Sequence, residues 1–276
     1  MDKIALVLGA GGARGLAHIH VLKAFDDLGV RLVGVAGTSI GAVMGAAYCA
    51  GMSGADIEAY VIARFNDRTR LLAEVFKIRP NSFKGFLQDG GLRLGELNLE
   101  TIFGVFLPDN VPPTFAQLEI PLQVVATDYY AGESKVFNTG ELRKCVAASA
   151  AMPAVFLPVD IDGRYYVDGS STNPCPMDTV QGIADHVVAI DVSGGPTGKP
   201  TDRPGKVDVM YATSQIMQKT IAKRMQDLYP STVLLRASVD KYRSLDFLNA
   251  AQIMSDTAPL REITKVAIHK MLDART

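Results

Sequence analysis

The sequence predicts an α/β fold with a parallel sheet at its centre. Short apolar runs without polar alternation recur along the chain, and each of the first two is followed by a segment of helical periodicity. Ile4 to Leu8 is the first run, closed by glycines as a strand buried on both faces would be. Behind it, Leu16, Ile19, Leu22 and Phe25 keep roughly helical spacing, and Gly29 supplies the stop. Arg31 to Ala36 is the second run, and the helix after it closes at Gly51. Strand, helix, strand, helix implies right-handed parallel connections.

The elements beyond Ser53 follow less regularly. Ala55 to Phe65 reads as a helix. Residues 66–113, with Pro108, Pro112 and Pro113, read as a helical insertion with loops, either a cover over a site or a plain surface excursion. Leu122 to Asp128 is a strand, and Ala131 to Asn138 a turn with a hairpin strand. Glu141 to Phe156 reads as a helix that ends near Pro153, and Arg164 to Ser170 as a strand running into a turn. His186 to Val192 is another buried strand, followed by a Gly/Pro-rich loop from Gly194 to Gly205. A long amphipathic helix from Val207 to Leu228, a last strand from Thr232 to Ala237 and a helical remainder complete the chain. That last strand favours one continuous sheet over a linker and a second domain.

Composition narrows the function classes. The 276 residues can bury a substantial core, and a 48% hydrophobic, 21% charged make-up is that of an ordinary globular protein. A formal net charge of -1 carries no nucleic-acid footprint. Cys49, Cys145 and Cys175 form neither a CxxC pair nor a Cys/His cluster, so they read as small buried hydrophobes, with no metal site. The apolar N-terminus runs into a Gly-rich turn where a signal peptide would have its cleavage site, and no apolar run is long enough to span a bilayer. The expectation is a soluble, cytoplasmic protein without cofactor.

Chemistry concentrates in a few places. Gly37-Thr-Ser-Ile-Gly41 lies between a buried strand and a helix, the context that gives a GxSxG match its meaning. Small neighbours allow a sharp turn, and the helix N-terminus points at the Ser39 hydroxyl. The alternative is that Thr38 or Ser39 only caps the helix. The second place, Gly9-Ala-Gly-Gly-Ala-Arg-Gly15, frees backbone N–H groups for an anion or oxyanion. A dinucleotide fingerprint does not fit. Its last glycine falls on Arg14, and the second strand ends in Gly37, Thr38 and Ser39 without the acidic residue that would hold a ribose. The third place is Asp168, which closes an apolar strand before Gly169 and could be plain turn chemistry.

A serine nucleophile needs a base, ordinarily a histidine. The chain has four. His18 and His20 precede the serine on the first helix, His186 begins a strand, and His269 sits among Lys265 and Lys270 on the last helix. None stands on a loop after the last strand, where an α/β-hydrolase keeps its histidine. A Ser–Asp pair, with the carboxylate taking the proton directly, is therefore a reasonable reading of the residues alone.

The set GAGGARGLAHIHVL, GTSIGA, ASAAMPAVF and VDGS, in this order, resembles the patatin-like phospholipase family, from Lys3 to about Asp191, with a weaker echo from Ser244 to Met254. The resemblance implies a three-layer α/β/α sandwich around a mostly parallel sheet. It implies one patatin-like domain over residues 1–276, with a core at 3–192, the helical insertion at about 66–113 and a C-terminal helical part at about 206–276. It makes Ser39 the nucleophile and Asp168 the general base. It assigns the oxyanion hole to Gly11 and Gly12, with Ala13, and sets Arg14 to steady the loop or the anionic lipid. His18 recurs in the family's pattern as a structural residue. Ala10 stands where the family often has a further glycine, and Ser170 where its DG turn has Gly or Ala; both leave the chemistry intact.

The implied activity is lipid acyl hydrolysis of the phospholipase A, lysophospholipase or esterase kind, through an acyl-enzyme at Ser39. The rivals are an acyltransferase or thioesterase on the same serine elbow, which Thr38 in place of a histidine weakens, and a catalytically silent lipid-binding regulator. The expected partners are a lipid or ester substrate and a peripheral membrane contact. Phe76, Ile78, Phe83, Phe86 and Leu87, interleaved with Lys77, Arg79 and Lys84, are candidates for that contact or for core.

Overall fold

The computed structural model describes residues 2–66, 107–153, 155–196, 198–199 and 201–273. Most of the expected cover, residues 67–106 with the aromatic and basic candidates from Phe76 to Leu87, lies outside the described residues.

Among the described residues, one eight-stranded sheet organises the fold. In chain order the strands are β1 (Ile4–Leu8), β2 (Leu32–Thr38), β3 (Leu122–Asp128), β4 (Glu133–Phe137), β5 (Val159–Ile161), β6 (Arg164–Asp168), β7 (His186–Asp191) and β8 (Val233–Arg236). The spatial order is β5-β6-β3-β2-β1-β7-β8, with β4 paired to β3. The pairings from β3 through β2, β1 and β7 to β8 are parallel, and those among β3, β4, β5 and β6 antiparallel.

Among the described residues the helices are α1 (His18–Leu28), α2 (Ile40–Cys49), α3 (Gly54–Asn66), α4 (Leu142–Ser149), α5 (Lys206–Leu228), α6 (Ala250–Thr257) and α7 (Leu260–Asp273). Because side chains alternate across a strand, Ile4, Leu6 and Leu8 of β1 enter one core, with Leu16, Ile19, Phe25, Val43 and Ile268. Ala5 and Val7 enter the other, with Met177, Val180 and Ala222. The sheet is thus covered on both faces, the second chiefly by α5 and the Met177–Val180 turn. Cys49, Cys145 and Cys175 are free and buried.

Several boundaries differ from expectation for identifiable reasons. The first helix does not grow straight out of the glycines: a tight 3-10 segment, Gly12–Ala17, precedes α1. The helix expected to reach Pro153 ends at Ser149. Strand β5 was not anticipated. It forms a hairpin with β6 through Asp162 and Gly163, whose φ values of 53° and 78° are those of a tight primed turn. The C-terminal helical part breaks before Pro259, which serves as an entry residue for α7.

The antiparallel margin is what positions the site. Over Val124–Asp128, β4 occupies one edge of β3. The other edge is shared: β2 pairs with Leu122–Val125, and β6 takes over at Ala126–Asp128. Strands β2 and β6 therefore run toward each other along a single edge and meet between Val125 and Ala126. The residues at their meeting ends are Thr38, followed by Ser39, and Asp168.

Candidate active site

Ser39 follows β2 directly and caps α2 with φ 57° and ψ -124°, a conformation costly for a residue bearing a Cβ. The turn is sharp because α2 lies hard against β1: a Cβ on Gly41 would stand 2.0 Å from the Leu8 carbonyl oxygen. The Ser39 carbonyl accepts the N–H groups of Ala42 (2.9 Å) and Val43 (3.2 Å), so the first turn of α2 holds the elbow from below.

The Ser39 hydroxyl donates to Asp168 Oδ2 at 2.6 Å. The other carboxylate oxygen accepts the Ser170 N–H at 2.8 Å. The Asp168 backbone is fixed too: its N–H donates to Ala151 O (3.0 Å) and its carbonyl accepts the Thr127 hydroxyl (3.0 Å). Asp168 is 2% exposed. Burial raises its pKa above the ordinary carboxylate value, and the hydrogen bonds from Ser39 and Ser170 offset this only in part. A carboxylate so placed is a stronger base than one in water.

The histidines lie elsewhere. His18 is fully buried and its Nε2 bonds the Gly9 carbonyl at 2.8 Å. A carbonyl only accepts, so Nε2 carries the proton. Burial lowers the His18 pKa to about 4, which keeps the ring neutral. His20 bonds Met254 O at 2.7 Å. His186 begins β7, at the end of the sheet opposite Ser39, and lies 3.6 Å from the Asp2 carboxylate. His269 is on α7. None lines the cleft that holds Ser39.

The glycine loop faces the same cleft. Its N–H groups divide into those used and those free. Gly9 N–H donates to Ile190 O (3.0 Å), Ala10 N–H to Pro174 O (2.8 Å) and Ala13 N–H to Ser244 O (2.8 Å). Among the described residues, Gly11 and Gly12 N–H meet no acceptor. Ala13 thus departs from the expected trio, because its donor is committed to the chain near the C-terminus. Arg14 is 1% exposed. Its Nε donates to Gly11 O (3.1 Å) and Nη2 to the Ser244 hydroxyl (3.0 Å). With the Gln215 amide oxygen turned toward the guanidinium, Nη1 donates to it at 3.2 Å, and the Gln215 nitrogen donates to Gly195 O at 3.0 Å. Burial lowers the Arg14 pKa to about 10, against the attraction of Asp240, Asp191 and Asp246, and the group stays cationic near neutrality. Arg14 therefore stiffens the loop and leaves a desolvated positive charge beside it.

The cleft has a volume of about 130 Å³ and is lined by Gly11, Gly12, Arg14, Ser39 and Asp168 together with Met210, Tyr211 and Gln218. The α5 and Ser244 contributions were not foreseen. Ser244 had one signal, the echo that begins at that residue. Among the described residues, no group of three or more His, Cys, Asp and Glu side chains is placed to hold a metal ion.

A hydroxyl on a strained strand-to-helix turn, within reach of a buried carboxylate, has the geometry of a nucleophile elbow in an α/β fold. The particular family follows from comparison. The family model for patatin-like phospholipases matches residues 6–180. The chain belongs to that family. An uncharacterized NTE family protein of Mycobacterium bovis is 33% identical over 232 residues, covering 82% of this chain and 60% of that protein. Patatin-like phospholipase domain-containing protein 6 of Homo sapiens is 33% identical over 194 residues, covering 69% of this chain and 13% of that protein. Neuropathy target esterase sws of Drosophila melanogaster is 25% identical over 274 residues, covering 89% and 18%. The chain therefore spans under two thirds of each of these relatives.

Proposed function

We propose that this chain is a lipid acyl hydrolase that works through a Ser39–Asp168 dyad. The observation that carries the reading is the 2.6 Å hydrogen bond between the Ser39 hydroxyl and the Asp168 carboxylate, in a cleft that no histidine lines. Asp168 Oδ2 accepts the hydroxyl proton as Ser39 Oγ attacks the acyl carbonyl. The Gly11 and Gly12 N–H groups receive the oxyanion, with the Arg14 charge behind them. The tetrahedral adduct collapses as the alcohol leaves with the proton from Asp168, and an acyl ester remains on Ser39. Water then gives a proton to Asp168 and attacks the ester. The second adduct expels Ser39 Oγ, which recovers the proton, and the free acid departs.

Membership in a phospholipase family and the names of the relatives, phospholipase and esterase, support a lipid ester as substrate. Among the described residues no helix is long and apolar enough to cross a membrane. Val209, Met210, Ile216 and Met217 of α5 are each about half exposed, recur at helical spacing and lead into the cleft at Met210. Lys219, Lys223 and Arg224 follow them, exposed, on the same helix. This face suits contact with an anionic lipid surface.

The test is a hydrolysis panel of phospholipids, lysophospholipids, neutral glycerides and short p-nitrophenyl esters, with Ser39→Ala protein as the blank. Release of free fatty acid by the wild type alone is expected. Acyl groups moved to an added acceptor instead of water would favour the acyltransferase reading. A wild type no better than the blank on every ester would favour the silent one.

A further inference from the structure

Ser149, the last residue of α4, lies at the seam where β2 and β6 meet. It is fully buried. Its hydroxyl donates to the Val125 carbonyl at 2.6 Å, and the same oxygen accepts the Ser39 backbone N–H at 2.8 Å. Val125 is the β3 residue paired with Thr38, and the next residue, Ala126, is paired with Asp168. One hydroxyl therefore ties the amide of the nucleophile to β3, the strand against which Asp168 is paired.

The arrangement is directional. A serine hydroxyl has one proton, and Val125 O takes it, so a lone pair is left for the Ser39 N–H. Ser39 is itself 6% exposed, so water is a poor substitute partner. Its positive φ persists only where the surroundings over-determine it. Helix α2 holds the Ser39 carbonyl; Ser149 holds the other end of the residue. The bond also commits the Ser39 N–H, which is then not free to meet an oxyanion.

We infer that Ser149 is a positioning residue for the nucleophile: it fixes the Ser39 backbone so that the hydroxyl points at Asp168 and at the cleft. This rests on the reading of Ser39 as nucleophile. Ser149 does not touch substrate, so its removal acts on the rate of attack and not on binding. A misplacement of about 1 Å in a reacting group is enough to cost roughly 100-fold in rate.

The experiment measures two rates per folded molecule: phosphonylation of Ser39 by a fluorophosphonate, and turnover of a soluble short-chain ester. In Ser149→Ala both are expected to fall by about 10- to 100-fold, with KM changed by less than about twofold. Ser149→Thr, which restores the oxygen, is expected to recover most of the loss. Ser149→Cys keeps the volume but offers a weak acceptor; it is expected to be slow as well, and it serves as the reading if the alanine protein does not fold. A lower melting temperature with wild-type rates in the folded fraction would overturn the inference and leave Ser149 a purely structural residue. A wild type labelled at a residue other than Ser39, or not labelled at all, would instead overturn the nucleophile reading, and the inference with it.

Discussion

Gly169→Ala tests how tightly the seam holds the two reacting groups. Gly169 follows Asp168, and its φ lies in a region open to alanine, so only the added methyl matters. That methyl would stand 2.1 Å from Val125 O, 2.8 Å from Val125 C and 2.9 Å from Thr38 Cγ2. Real carbon–oxygen contacts are about 3 Å or more, so relief needs a shift of roughly 1 Å. Val125 O cannot yield freely because it accepts the Ser149 hydroxyl, and the Asp168 turn must retreat. A retreat of that size stretches the 2.6 Å Ser39–Asp168 bond beyond hydrogen-bonding range. We expect about 100-fold loss in kcat on a soluble p-nitrophenyl ester, with about 1–3 kcal/mol of destabilisation from overpacking. Gly195→Ala is the control, since a Cβ there meets nothing within 4 Å. A Gly169→Ala protein within twofold of wild-type kcat would refute the reasoning.

Further expectations follow from titration and surface. Asp168 must be ionised to act, and burial raises its pKa, so the acid limb of kcat/KM should lie above the ordinary carboxylate range. The folded state then binds a proton more readily than the unfolded one. Stability falls as pH rises through the unfolded pKa to the raised folded one and stays reduced above it, so Asp168→Asn should melt higher than wild type at neutral pH; a lower melting temperature there contradicts this. His18 has the opposite sign. Its pKa drops from 6.5 to about 4 on folding, so its contribution is present above about 6.5 and is lost toward pH 4, on the order of 3 kcal/mol. His18→Gln should flatten the pH dependence of Tm in that window, and an unchanged slope would exclude His18 as its source. Ile216→Asp with Met217→Asp should weaken sedimentation with anionic vesicles and spare soluble-ester turnover; undiminished vesicle binding removes α5 as the lipid contact.

The sequence made the site's local parts legible and hid those built by distant pairing. Strand β1 and the Ser39 elbow could be read because unbroken apolar runs and flanking glycines are local signals. The antiparallel margin could not, because β6 pairs with β3 across about forty residues (Ala126 with Asp168). One clue there was missed: Asp162-Gly163, a tight-hairpin signature, marks the β5–β6 turn. Asp168 was recognised through resemblance, since an aspartate before glycine is locally only a turn. The resemblance sets Arg14 to steady the loop or the anionic lipid, but its partners are not legible locally. Its burial depends on Ser244 and Gln215, which lie more than two hundred residues away. Ser149 falls within the ASAAMPAVF motif, but its role shows only when Ser39 and Val125 are seen beside it.

The dyad is tested most directly by intact-mass and peptide mass spectrometry after fluorophosphonate treatment of wild type, Ser39→Ala and Asp168→Asn. A Ser39–Asp168 dyad gives a single adduct on the Ser39 peptide of the wild type, none in Ser39→Ala, and labelling slowed at least about 100-fold in Asp168→Asn. An adduct on any other residue, or an Asp168→Asn protein labelled at the wild-type rate, would contradict it.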